Sequence, residues 1–223
     1  MSHGIQSSSR LKGIPSIGAY LYDRIASIIM RAIHRYLAEL ISGVYGYRGV
    51  VLDIGCGTGL LVVDFVKKGF NYAIGLDLSS TMCKLARRRA IVSKVYSYID
   101  IVEADAHRLP FRNNCIDIAS AIGLVHHLSN PSQLFLEIHR ILKNRGIATI
   151  IELVSNASLS DVDKARKVFH IHQVPRVALY IAKSLHGLSR EESLSIIYSN
   201  LQKIFKKVVR ISLNILTIDL AIK

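Results

Sequence analysis

Residues 52–59 read LDIGCGTG and place Asp53 beside Gly55, Gly57 and Gly59. Glycines between an apolar run and a helix-like one permit a tight crossing and let the backbone approach a ligand closely. The G-x-G-x-G order is not the G-x-G-x-x-G of dinucleotide folds, and it lacks the G-K-[ST] ending of a P-loop. A carboxylate beside such a turn disfavours a pyrophosphate and suits a ligand carrying an amino group, which is the reading for Asp53. Asp77 follows 22 residues after Gly55 at the end of a second apolar run. A carboxylate there can accept both hydroxyls of a ribose. Asp105 ends a third such run and is placed to accept the exocyclic amine of an adenine. Together the three acids describe a ligand with an amine, a ribose and an adenine, without separating one nucleoside from another.

A second candidate is AIGLVHHLSNP, residues 121–131, where His126 and His127 stand side by side. Neighbouring residues do not face each other on a helix and point oppositely on a strand, so both rings reach one centre only from an irregular loop. A metal centre would need further ligands, and His107, His139, His170 and His172 show no ligand spacing. No metal is expected. His126 is read as a contact or base for a substrate, since imidazole exchanges protons near neutrality.

These residues need elements to hold them. GVVLDIG, NYAIGLDL, YIDIVEAD, CIDIASAIG and GIATIIELV read as short apolar strands, and LLVVDFVKKG, SSTMCKLARRRAI and PSQLFLEIHRILKN as the helices between them. That alternation predicts an α/β fold with a parallel sheet covered on both faces. Residues 1–15 read as a flexible tail, and residues 16–223 as one domain. Within it, residues 16–45 form a helical cap, with Leu21, Ile25, Ile29, Ile33, Leu37 and Leu40 at helical spacing. Residues 155–188 read as a helical insertion that shapes a substrate pocket. SREE at 189–192 is a capping box for a last helix carrying Leu194, Ile197, Leu201 and Ile204. KKVVRISLNILTIDLAIK closes the chain as two strands meeting near Asn214.

The formal charge is +13 over 223 residues, half of them hydrophobic. This excludes a disordered basic tail and describes a folded protein that attracts anions. Cys56, Cys83 and Cys115 show no metal spacing and, being odd in number, no disulfide framework, which fits a reducing, cytoplasmic setting. Residues 118–136 lack acidic and basic side chains, but HHLSNPSQ within them would be very costly in lipid, so no transmembrane helix is expected.

VLDIGCGTG, GLDLSSTMCKLA, EADAHRLPFRNNCIDIASAIGLVHHL and FLEIHRILKNRGIATIIE resemble, in order, the motifs of class I S-adenosylmethionine-dependent methyltransferases over about residues 49–152. The resemblance implies a Rossmann-like fold with a seven-stranded, mostly parallel sheet. It implies S-adenosylmethionine as cofactor, with Gly55, Cys56 and Gly57 under its methionine part, Asp77 on the ribose, Asp105 with Ala106 flanking adenine, and Asp53, Gly59 and Leu78 in the same cofactor site. Ala121 and Ile122 would line the methionine end, and AYLYDRIA is similar to a segment that closes over the cofactor, with Tyr22 as the contact. The resemblance also implies that His127 shapes the loop. Two branches of the superfamily share the HH stretch, one acting on small molecules such as quinones and one on a modified wobble uridine of tRNA. A small-molecule acceptor is the reading favoured by the apolar insertion; the basic charge, with Lys84, Arg87, Arg88, Arg89 and Lys94 in one run, keeps tRNA as the alternative. A cofactor-binding scaffold without chemistry is the third reading.

Overall fold

The computed structural model describes residues 31–43, 46, 49–154, 157–170, 175–176, 197–213 and 215–223. Its strands are β1 (Val50–Ile54), β2 (Tyr72–Asp77), β3 (Ile99–Glu103), β4 (Ile116–Ile122), β5 (Leu142–Leu153), β6 (Lys207–Leu213) and β7 (Leu216–Ile222). Its helices are α1 (residues 31–43), α2 (Leu60–Lys67), α3 (Ser80–Val92), α4 (Pro131–Ile141), α5 (Leu159–Val168) and α6 (Ser199–Ile204). The strands form one sheet in the order β3-β2-β1-β4-β5-β7-β6. β1 pairs in parallel with β2 and β4, and β7 is inserted antiparallel between β5 and β6. The chain thus reverses its direction of travel across the sheet between β1 and β4. In open α/β sheets the crevice at the strand ends beside such a reversal is where ligands bind.

Central parallel strands must be apolar on both faces, and β4, buried from Ile116 to Ala121, shows why. One face packs Leu52, Ile54 and Ile150 against Leu134, Phe135 and Ile138 of α4 and Leu201 of α6. On the other, Val51 and Ile118 meet Leu61 and Phe65 of α2, Ala86 of α3 and Ala38 of α1. Towards β7, Ile33 and Leu37 of α1 and Val162 of α5 cover Ile151 and Ile218. At residue 59 the two helices α2 and α3 come close. A Cβ on Gly59 would lie 2.8 Å from the Cβ of Ala86, and Gly59 has a φ of +73°. No residue with a side chain fits there without displacing α3.

The expected strands and helices of residues 50–142 are present, with one boundary moved. The helix expected to run to Asn144 ends at Ile141, because Leu142 is already extended and pairs with Ile116. The register then jumps to Ile118↔Ile147, and the intervening residues bulge, with Arg145 at a φ of 65°. α5 begins at a capping box the sequence reading missed: Ser158 accepts from the Asp161 amide and Asp161 from the Ser158 amide. The expected capping box at 189–192, Tyr22, Leu194 and most of residues 155–188 lie outside the described residues. Ile197 and Leu201 are buried as the last helix requires. Among the described residues, no helix is long and apolar enough to cross a membrane.

Several cations bond to backbone carbonyls, Arg87 from an exposed position and the others half-buried. Arg87 donates to the Ile101 carbonyl, Arg89 to that of Thr58, Arg140 to those of Leu109 and Phe111, and Lys223 to that of Leu142. A buried ion pair joins β6 to β7. Arg210 donates Nε to Asp219 Oδ1 at 2.6 Å and a terminal nitrogen to Oδ2 at 2.7 Å, beneath the Tyr198 ring. Asp219 is 1% exposed, and burial raises its carboxyl while Arg210 pulls it down. Asp219→Ala leaves a buried guanidinium without its carboxylate and should destabilise the fold by about 3–5 kcal/mol in urea unfolding. Replacing both partners with apolar residues of similar volume should recover most of that loss.

Candidate active site

The glycine turn is fastened to the end of β2. The amides of Gly55 and Cys56 both donate to the Leu76 carbonyl, at 2.7 and 2.9 Å, and the Gly57 amide donates to Asp77 Oδ2 at 2.8 Å. Asp77 Oδ1 accepts from the Ser79 amide at 2.9 Å, and Ser79 caps α3. One carboxylate therefore ties the turn of β1 to the helix start after β2. Gly57 has a φ of +52° and nothing within 4 Å of where a Cβ would be, so its missing side chain leaves space open above the turn.

Beside the turn lies a cavity of about 380 Å³. Gly55, Asp77, Leu78, Asp105 and Ala106 line it, together with Leu76, Ala104 and His107. The far wall comes from the exit of β4: Leu124, His127, Leu128 and Ser129. Asp105 accepts from both the amide and Nδ1 of His107 at 2.8 Å, and these bonds hold its carboxyl below the ordinary range. The cavity thus offers two carboxylates and several apolar side chains, the donor and acceptor balance of a nucleoside site.

The β4 exit is an irregular loop, as two rings at one centre require. Gly123 donates to the Ile151 carbonyl, and Val125–His127 form a single 3₁₀ turn. The imidazoles of His126 and His127 lie 4.0 Å apart, centroid to centroid. Glu152, at the end of β5, has a fully buried side chain. Its Oε1 accepts from the Val125 amide and its Oε2 from His126 Nδ1, both at 2.7 Å. Sequence reasoning missed Glu152 altogether, because the partner lies 26 residues from His126 and meets it only through β4–β5 pairing. It also missed that His127, read as loop architecture, stands on the cavity wall.

Residues 52–150 match a family described as a methyltransferase domain. That segment is a class I methyltransferase domain. Class I methyltransferases draw their methyl group from S-adenosylmethionine. Among curated relatives, the ubiquinone/menaquinone biosynthesis C-methyltransferase UbiE of Roseobacter denitrificans is 27% identical over 180 residues, covering 79% of this chain and 72% of its own. Of solved structures, a Methanococcus maripaludis protein assigned as an S-adenosylmethionine-dependent methyltransferase superposes with a TM-score of 0.73. It is 22% identical and covers 98% of this chain and 96% of its own. The [4+2]-cyclase SpnF has the fold too, at a TM-score of 0.56 and 17% identity over 85% of this chain and 80% of its own. Fold by itself therefore does not fix the chemistry, and methyl transfer rests on the family match.

Other residues singled out in the sequence of this methyltransferase sit behind the cavity. Cys56 is buried, and burial together with Asp53 and Asp77 pushes its thiol far above the ordinary range. Ala121 is fully buried in β4 between Ile54 and Ile150, and Ile122 ends that strand. Asp53 shares the face of β1 that carries Val51, in register with Gly75 and Ser120. It is 4% exposed, and burial, reinforced by Asp77, pushes its carboxyl up to about 8. No cation pairs with it among the described residues. The folded protein therefore keeps the Asp53 proton over a range in which the unfolded chain has lost it, and stability falls as pH rises through that range. Asp53→Asn should remove this loss. In urea unfolding, the variant's advantage over the parent should widen from about pH 5 to about pH 8 and then level off.

Proposed function

We propose that this methyltransferase transfers a methyl group from S-adenosylmethionine to a nucleophilic atom of a small molecule, a reduced quinone or similar phenol, in the cytoplasm. The observation that carries the reading is one cavity holding both strand-end acids, with Asp77 also bonded to the glycine turn. A carboxylate has about four acceptor positions, so Asp77 retains capacity for ribose hydroxyls beyond its two amide bonds. Asp105 accepts the adenine amine, while Leu78 and Ala106 supply apolar walls for the base. Gly55 and Gly57 pass under the methionine part, while Asp53, Cys56 and Ala121 are buried behind the turn and hold its shape from within. Bound there, S-adenosylmethionine supplies a methyl group already activated on a sulfonium. The chain's own work is then to align the acceptor, exclude water and stabilise charge. His126, held at the β4 exit, contacts the acceptor.

The curated relative's name, a quinone-biosynthesis C-methyltransferase, supports a quinone-type acceptor. Arg89 of the basic run on α3 is half-buried and engaged with the Thr58 carbonyl, which weighs against tRNA. In calorimetry the parent should bind S-adenosylmethionine, and Asp77→Ala should bind it about 10- to 100-fold more weakly, the scale of a lost charge-assisted hydrogen bond. No detectable binding by the parent would overturn the reading. With a labelled methyl donor, label should enter a small-molecule extract and not unmodified tRNA. Labelled tRNA beside unlabelled metabolites would reverse the acceptor assignment.

A further inference from the structure

We propose that Glu152 is a positioning residue that fixes the His126 tautomer and makes its Nε2 the general base for an acceptor bearing an ionisable proton. This rests on the methyl-transfer reading and narrows its acceptor to hydroxyl or carbon acids.

The Glu152 side chain is fully buried at the end of β5, where a carboxylate is retained only if its oxygens are satisfied. Both are: Oε1 by the Val125 amide and Oε2 by His126 Nδ1, each at 2.7 Å. Among the described residues no lysine or arginine pairs with it. A staple for the β4 exit would need only the Val125 bond. The second oxygen on an imidazole does something a staple does not. A carboxylate can only accept, so Nδ1 carries the proton and the lone pair lies on Nε2. The His126 ring stands against that of His127, which lines the donor cavity, so the basic nitrogen belongs to the same loop as the cavity wall. If Nε2 takes a proton, the imidazolium forms against a carboxylate already in place, without reorganisation.

The step balances simply. The acceptor's O–H proton passes to Nε2, and the electron pair left, on oxygen or delocalised onto a ring carbon beside it, bonds to the methyl carbon; a ring carbon then gives up its own proton to water. The carbon–sulfur pair returns to sulfur, leaving a neutral thioether. A carboxylate or thiolate acceptor would be nucleophilic without such a base. The dyad therefore assigns the acceptor to groups protonated at neutral pH, such as phenols, hydroquinones and their ring carbons.

Long-range proton–nitrogen correlation spectra of the histidine rings test the assignment without any acceptor. In the parent, His126 should be protonated at Nδ1 and bare at Nε2; in Glu152→Gln, whose amide can donate to Nδ1, the ring should shift to the Nε2–H form. A parent ring protonated at Nε2 overturns the proposal. Calorimetry with S-adenosylmethionine should give the same affinity for parent and Glu152→Gln within about twofold, and a larger loss would recast Glu152 as part of the donor site. Initial rates of labelled methyl entry into small-molecule extract should fall about 100- to 10,000-fold in Glu152→Gln and in His126→Gln. The second variant keeps the test intact where the first fails to fold. Undiminished labelling by His126→Gln removes this proposal alone. No labelling by a parent that binds the donor removes the acceptor reading and the dyad with it.

Discussion

Three consecutive amides of the glycine turn, Gly55, Cys56 and Gly57, are bound to the last two residues of β2, and the site depends on this fastening. It requires Ile54 to lie opposite Leu76 and Asp53 opposite Gly75, the register the two strands adopt. A slip by one residue would turn Asp77 to the other face of the sheet and leave the turn without its acceptor. The same carboxylate reaches the amide of Ser79, so the cavity floor and the start of α3 are set by one side chain. Close packing of Gly59 on Ala86 then holds the two helices that follow in a single arrangement.

The buried acids of the sheet show three solutions to one problem. Asp53 has no cation beside it among the described residues and stays protonated over most of the neutral range, at about 8. Asp219 is held by a bidentate guanidinium within the same antiparallel pair of strands. Glu152 is satisfied by two N–H groups from one loop. Only the last arrangement leaves a neighbouring group, the second nitrogen of His126, with its chemistry altered and uncommitted. Burial alone does not mark a working carboxylate; what its partners can still do afterwards does.

Much of the fold was legible because it is written locally. Apolar runs of strand length, a glycine turn and the acids that close two strands can each be read within a few residues, and β1 to β4 stand where their patterns place them. Where local signals compete, reading failed: Leu142 to Asn144 continue a helical pattern, yet pairing of Leu142 with Ile116 ends α4 early. The site was legible to the extent that its residues close strands. Asp77, Leu78, Asp105 and Ala106 line the cavity together with Gly55, whereas Asp53, close in sequence to the turn, stands behind it because side chains alternate along β1. Glu152 had no signal of its own. It reads as a polar residue closing an apolar strand, and its role exists only once β5 lies beside β4.

The cations turned inward have a consequence for the solvent this protein tolerates. A run such as Lys84 to Lys94 reads as surface charge, but Arg89 within it, like Arg140 and Lys223, is half-buried and binds carbonyl oxygens at 2.7–2.9 Å. Mobile ions screen fields over a Debye length of about 10 Å at ~0.1 M salt and act little on contacts this short. Raising ionic strength therefore flattens the attraction of this chain for distant anions while leaving these internal bonds in place. A proportion of its excess positive charge is part of the framework, and that proportion is insensitive to salt.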